Sequence, residues 1–257
     1  MSLRIVQIAD PHEAPIFSWR TLTDKRLLGF MNAKLFRRNF HMERLAAAVR
    51  MILRERPDVV AFCGDSVSSA NPEEFHRIED VLRPLAESGI PILFAPGNHD
   101  RYVRAKECVA ALERFARTIA PGRDAWPYLF ETKEVRFAVM DWALPTNPLM
   151  SNGLATKESA EFLRQEAERN DARPLVCVSH FPILEPFNRD IFRHGLHGRN
   201  RIRPLLESGR IALSLCGHIH IPKEFKANGR VAEIVAGSVT RANVVTDIRF
   251  ENGAFSW

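Results

Sequence analysis

Apolar residues fall into short runs that alternate with stretches of helical period. Residues 3–9 are rich in Ile and Val and alternate loosely, predicting a first strand that stops at Asp10-Pro11-His12. Over 41–55, Leu45, Val49, Ile52 and Leu53 recur at helix spacing, and Pro57 ends the run. Residues 58–63 predict a second, buried strand leading into Gly64-Asp65. A helix follows over 72–87, with Asn71 as cap and Pro72 as first position. Residues 90–95 predict a third strand, broken by Pro96-Gly97, and 104–119 another helix ended by Pro121-Gly122.

The second half is richer in strands. These are expected at 128–131 and 135–140, then after a helix over 155–169 as a continuous apolar run, 174–179, that enters His180. A loop over 181–200 precedes a short helix at 202–207 and a strand at 211–216 that ends in Gly217-His218-Ile219-His220. Three short strands near 223–226, 231–235 and 244–250 complete the chain, with Asn228-Gly229 as a hairpin turn. Residues 13–40 have no clean period and read as an insertion with a helical piece.

A β-α-β-α-β first half followed by a strand-rich second half predicts two sheets with helices outside. With no repeat, low-complexity tract or linker, residues 1–257 read as one α/β domain. The 46% hydrophobic and 26% charged content is that of a globular chain able to bury a core without staples. No apolar run approaches the length of a membrane span, and the start MSLRIVQIAD lacks signal-peptide architecture, so a cytoplasmic protein is expected. The four cysteines show no CxxC pair, which argues against a disulfide framework. Cys63 and Cys216 each stand two residues before a candidate ligand, but burial in a core strand is the commoner fate of free cysteine.

Five of the expected strands end on polar chemistry. The blocks are Asp10-x-His12, Gly64-Asp65, Gly97-Asn98-His99-Asp100, His180 and Gly217-His218-x-His220. Ligand crevices of open α/β sheets lie beyond the carboxyl ends of the strands, so these blocks point to one region. Singly, each has an ordinary reading as a turn, a loop or a hydrogen-bonded core histidine. Together, Asp10, Asp65, Asn98 and the imidazoles of His12, His180, His218 and His220 form a nitrogen and oxygen set too large for one first-row ion. It suits two ions if one carboxylate bridges, and Mn, Fe, Zn or Co rather than Ca or Mg.

The ordered blocks DxH, GD, GNHD, H and GHxH resemble the calcineurin-like metallophosphoesterase superfamily over residues 10–220. The resemblance implies a two-sheet β sandwich flanked by helices, αββα, in a single domain, with a dinuclear metal centre. It implies that one ion takes Asp10, His12, Asp65 and His220 and the other Asp65, Asn98, His180 and His218, with Asp65 bridging. His99 matches the family's catalytic histidine, which does not bind metal. Two cations roughly 3.5–4 Å apart polarise phosphoryl oxygens and lower the pKa of a bridging water, giving a hydroxide that attacks phosphorus. An imidazole outside their coordination can protonate the leaving alkoxide. Asp100 is expected to support the loop. One departure stands out: many members carry a second Asp or Asn three residues after the bridging Asp, where it helps hold the catalytic histidine. Here Ser68 stands there, and a hydroxyl stabilises an imidazolium less than a carboxylate does, so what orients His99 is open.

The net charge of +5 permits an anionic partner. Between Ser18 and Arg44, seven basic residues face two acids, so part of the insertion reads as a roof over an anionic substrate or as an attachment to an anionic membrane surface. A plain solvated excursion is the alternative. A second basic loop, 189–203, offers Arg193 and His197 as candidate substrate contacts. The favoured reading is a phosphodiesterase that uses two metal ions, Mn, Fe or Zn, on a small phosphoester or nucleotide. The alternatives are a peripheral membrane enzyme that cleaves a phosphoester or pyrophosphate in a lipid precursor, and a non-catalytic scaffold. Retention of every ligand type argues against the scaffold. Nothing in the chain resembles a second domain to grip a duplex, which argues against nucleic acid as partner.

Overall fold

Side-chain alternation on β1 (Ser2–Ile8) feeds two different interiors: Leu3 and Ile5 face one core, Val6 and Ile8 another. The computed structural model describes residues 2–16, 24–27, 30–31, 40–123, 125–186 and 191–257. Much of the expected insertion over 13–40 lies outside the described residues.

The first sheet has the order β13-β12-β1-β2-β3, with β2 Val59–Phe62, β3 Ile92–Phe94, β12 Thr246–Glu251 and β13 Ala254–Ser256. Here β1, β2 and β3 run parallel, and β12 returns antiparallel beside β1. The second sheet has the order β10-β11-β9-β7-β5-β4. Its strands are β4 Tyr128–Glu131, β5 Arg136–Val139, β7 Leu175–Val178, β9 Leu213–Cys216, β10 Lys223–Ala227 and β11 Arg230–Val235. Its central strands β5, β7, β9 and β11 are parallel.

The sheets pack face to face through Leu3, Ile5, Val59, Ala61 and Leu93 on one side and Phe137, Val176, Val178 and Leu215 on the other. Gln7 stitches across this gap, its amide donating to the carbonyls of Cys216 (2.9 Å) and Ile234 (3.2 Å). Helices α1 (Met42–Glu55), α2 (Pro72–Ala86) and α3 (Lys106–Ile119) bury their apolar faces on the outer side of the first sheet. Leu163 of α4 (Lys157–Glu168) packs on the outer side of the second sheet. The expected αββα sandwich is therefore the observed one.

The expected loop over 181–200 is more structured than its sequence indicates. It holds α5 (Ile191–His194), and β8 (Leu196–His197) pairs in parallel with β6 (Gly153–Leu154). Two-residue strands have no period to read. A short helix α6 (Arg203–Glu207) follows. Strand β13 was also unforeseen; Asn252 and Gly253, both at positive φ, turn the chain back into it.

Candidate metal centre

Because β1, β2 and β3 are parallel, their carboxyl ends deliver Asp10, Asp65 and Asn98 to the same edge. Beyond β1 and β2 the backbones stay paired: Asp10 N–H donates to Gly64 O (3.0 Å), His12 N–H to Asp65 O (3.0 Å) and Glu13 N–H to Ser66 O (2.9 Å). Parallel β7 and β9 deliver His180 and His218 from the second sheet. Asp10, His12, Asp65, His218 and His220 all hold positive φ. Glycine is required where the turns touch: a Cβ on Gly64 would stand 2.5 Å from Gly97 N, and one on Gly97 2.2 Å from Asp65 Oδ1.

The side chains converge in two groups that share Asp65. Donor atoms of Asp10, His12, Asp65 and His220 lie within 4.8 Å of one another, and so do those of Asp65, His180 and His218. His12 Nε2 stands 3.5 Å and His180 Nε2 3.4 Å from Asp65 Oδ2. Asn98 Oδ1 joins the second group, 3.2 Å from His180 Nε2. The hydrogen bonds behind two rings fix which nitrogen faces inward. His180 Nδ1 meets Cys63 O at 2.8 Å, leaving Nε2 free for a ligand; His218 Nε2 meets His194 O at 2.6 Å, leaving Nδ1.

Burial pushes the Asp10 carboxyl well above the usual range, and the nearby Asp65 charge adds to this. Burial acts on Asp65 in the same sense, but the His180, His99 and His12 rings hold it well below. His218 is lowered to about 3, chiefly by burial. Burial acts on His180 in the same sense, but the adjacent Asp65 raises that ring to about 9, so a cation seated there would displace a proton. Imidazoles around a shared carboxylate form a donor set that fits two cations. Cys63 and Cys216 lie outside it. Both thiols are buried and pushed up by that burial, with Cys63 Sγ 3.7 Å from Gln7 Nε2 and Cys216 Sγ 3.7 Å from Ile234 O.

The orientation of His99 has a definite source. Its Nδ1 stands 2.6 Å from the backbone carbonyl of Ser68, and its own N–H donates to Asp65 Oδ1 at 2.8 Å. The hydroxyl of Ser68 is turned away, 3.4 Å from His12 O. The ring stacks on Tyr102 with centroids 5.0 Å apart. Burial lowers the His99 pKa. Asp100 ties the two turns together, accepting from Ser66 N–H (2.9 Å) and Gly97 N–H (2.8 Å).

His12, Asp65, Asn98, His99, His218 and His220 line a cleft of about 550 Å³ whose wall also includes Lys25, Tyr102, Leu149, Arg193 and Arg241. Lys25 was not singled out by sequence, since it lies in a stretch without period. Its buried ammonium donates to Thr146 Oγ1 (2.7 Å) and Met150 O (2.8 Å) and sits over the Tyr102 ring; burial lowers it to about 8. Arg193 lines the cleft, with its guanidinium donating to Leu149 O at 2.9 Å. His197 is not among the lining residues; its Nε2 faces Phe192 O at 2.9 Å.

The family model described as calcineurin-like phosphoesterase matches residues 3–222. The glycerophosphodiester phosphodiesterase GpdQ of Enterobacter lignolyticus (strain SCF1) is 29% identical over 177 residues, 65% of this chain and 58% of that protein. A probable glycerophosphodiester phosphodiesterase GpdQ of Arcobacter nitrofigilis is 24% identical over 170 residues, with the same coverage of each chain. The chain thus matches 58% of the length of these curated relatives. A crystal structure of a dimetal phosphatase from Danio rerio shares the fold, with a TM-score of 0.66 at 15% identity over 96% of this chain and 91% of that one.

Proposed function

The chain belongs to the calcineurin-like phosphoesterase family, and from that premise we propose that it is a metal-dependent phosphodiesterase of small phosphodiesters. The observation that carries this reading is the pair of donor groups sharing Asp65 beside a cleft that also holds His99. Asp10, His12, Asp65 and His220 would hold one ion, and Asp65, Asn98, His180 and His218 the other. Nitrogen and oxygen donors without thiolate suit Mn, Fe or Zn. When bound, the pair supplies Lewis acidity at the phosphoryl oxygens and an activated water.

The chain's own groups do the rest. With Nδ1–H donated to the Ser68 carbonyl, His99 keeps Nε2 for the leaving oxygen. A carbonyl accepts from Nδ1–H whether or not Nε2 is protonated, so the ring holds its direction while the proton moves. The Lys25 ammonium adds positive charge to the cleft wall, where a phosphodiester anion would lie. A diester is favoured over a monoester because the two curated relatives are named for glycerophosphodiesters.

The test is turnover of bis(p-nitrophenyl) phosphate and of glycerophosphoethanolamine by the purified protein loaded in turn with Mn, Fe, Zn and Co. Release of p-nitrophenolate and of glycerol phosphate or ethanolamine phosphate is expected with at least one metal. No turnover with any of the four removes the hydrolase reading.

A further inference from the structure

We infer that Glu74 is a positioning residue for His99, acting through the peptide unit between Ser68 and Ser69. This rests on the reading that His99 supplies the leaving-group proton. Glu74 is buried in the first turn of α2, where Asn71 caps the helix by accepting from Glu73 N–H at 3.1 Å. Its carboxylate points out of the helix into the segment that follows β2. One oxygen accepts from Ser68 N–H (3.2 Å) and Ser69 N–H (2.8 Å); the other accepts from Ile16 N–H (3.0 Å) and from the Ser69 hydroxyl. Burial raises Glu74 to about 7, and the three backbone N–H groups and the Ser69 hydroxyl around its oxygens oppose that rise.

Peptide planarity links this clamp to the imidazole. In a trans peptide the C=O of one residue and the N–H of the next lie in one plane and point in opposite directions. Fixing Ser69 N–H on Glu74 therefore aims Ser68 C=O the other way, where it meets His99 Nδ1 at 2.6 Å. A side chain on a helix thus sets the direction of a ring on a loop without touching it. The Asp or Asn that many family members carry at the position of Ser68 is absent, and Glu74 does its orienting work from six residues further along.

A positioning role separates from a structural one by leaving group. p-Nitrophenolate departs without a proton, whereas an alkoxide needs one. Glu74→Ala should cut kcat for glycerophosphoethanolamine by roughly 10–100-fold more than kcat for bis(p-nitrophenyl) phosphate. Glu74→Gln, which keeps one accepting oxygen, should fall between and carries the comparison if the alanine variant does not fold. In a His99→Ala background, Glu74→Gln should add no further loss on glycerophosphoethanolamine. In the protein labelled with ¹⁵N at histidine, the wild type should show a protected His99 Nδ1–H that weakens in Glu74→Gln. Equal losses on both substrates, additive losses with His99→Ala, or an unchanged Nδ1–H signal would each overturn the inference. If the wild type turns over neither substrate, the hydrolase reading falls. The imidazole signal then still decides whether Glu74 orients His99.

Discussion

Asp10, His12, Asp65, His218 and His220 hold φ between 50 and 76°, a region that costs most L-residues about 1–2 kcal/mol and that Asn, Asp and His tolerate better. Such conformations persist where the surrounding structure over-determines them, as the ladder from Asp10 to Ser66 does here. The choice of replacement at Asp65 therefore matters. Asn keeps a residue type suited to φ 53° and an acceptor for His99 N–H, while removing the charge shared by both donor groups. Asp65→Asn should purify folded but lose both ions, measured by elemental analysis of the protein, and turnover should fall by at least about 10²-fold. Full metal content in that variant would refute the shared-carboxylate assignment. The side chains of the site were legible in sequence because each donor type is written in the chain and stands where an apolar run stops. The partner of His99 was not, because a backbone carbonyl has no residue identity. Lys25 was missed for a related reason: its role depends on which residues roof it, and the stretch around it has no period.

Among elements, the buried parallel strands and amphipathic helices were readable, since continuous apolar runs and helical periods mark them. The β6–β8 pair was not, because two residues are too few to show a period. The loop that opens this region is tied down by a strand of the second sheet. Glu233 on β11 accepts from Ile183 N–H and Leu184 N–H, each at 2.8 Å, and from the Ser214 hydroxyl of β9 at 3.0 Å. Burial nonetheless raises its carboxyl from an ordinary 4.5 to about 7. Below pH 4.5 both the folded and unfolded chains carry this proton; between 4.5 and 7 the folded chain alone binds it. The group therefore makes stability fall as pH rises through that window, by an amount on the order of 3 kcal/mol. Thermal melts of wild type and Glu233→Gln at pH 5 and pH 8 check this. The wild type should lose more stability between the two pH values than the variant, and equal losses would place the titration elsewhere.

At the scale of the whole molecule, the two candidate metal positions straddle the sandwich. Asp10, Asp65 and Asn98 follow strands of the first sheet, and His180, His218 and His220 follow strands of the second. A ligand that binds only the folded chain stabilises it by about 2.7 kcal/mol at one hundred times its Kd, so each bound ion would contribute at that level under such conditions. Stripping metal with a chelator should lower Tm by roughly 5–10 °C per ion, with recovery on adding metal back. A chelator-insensitive Tm would contradict the assignment. Among the described residues no helix is long and apolar enough to cross a membrane, and the four cysteines are buried free thiols. No disulfide therefore joins the two sheets. With candidate donors running from residue 10 to residue 220, two bound ions would close most of the chain into a ring, as a covalent staple would. Citrate, phosphate or EDTA in a purification buffer would act as a reductant acts on a disulfide-bonded protein, undoing a fastener of the fold.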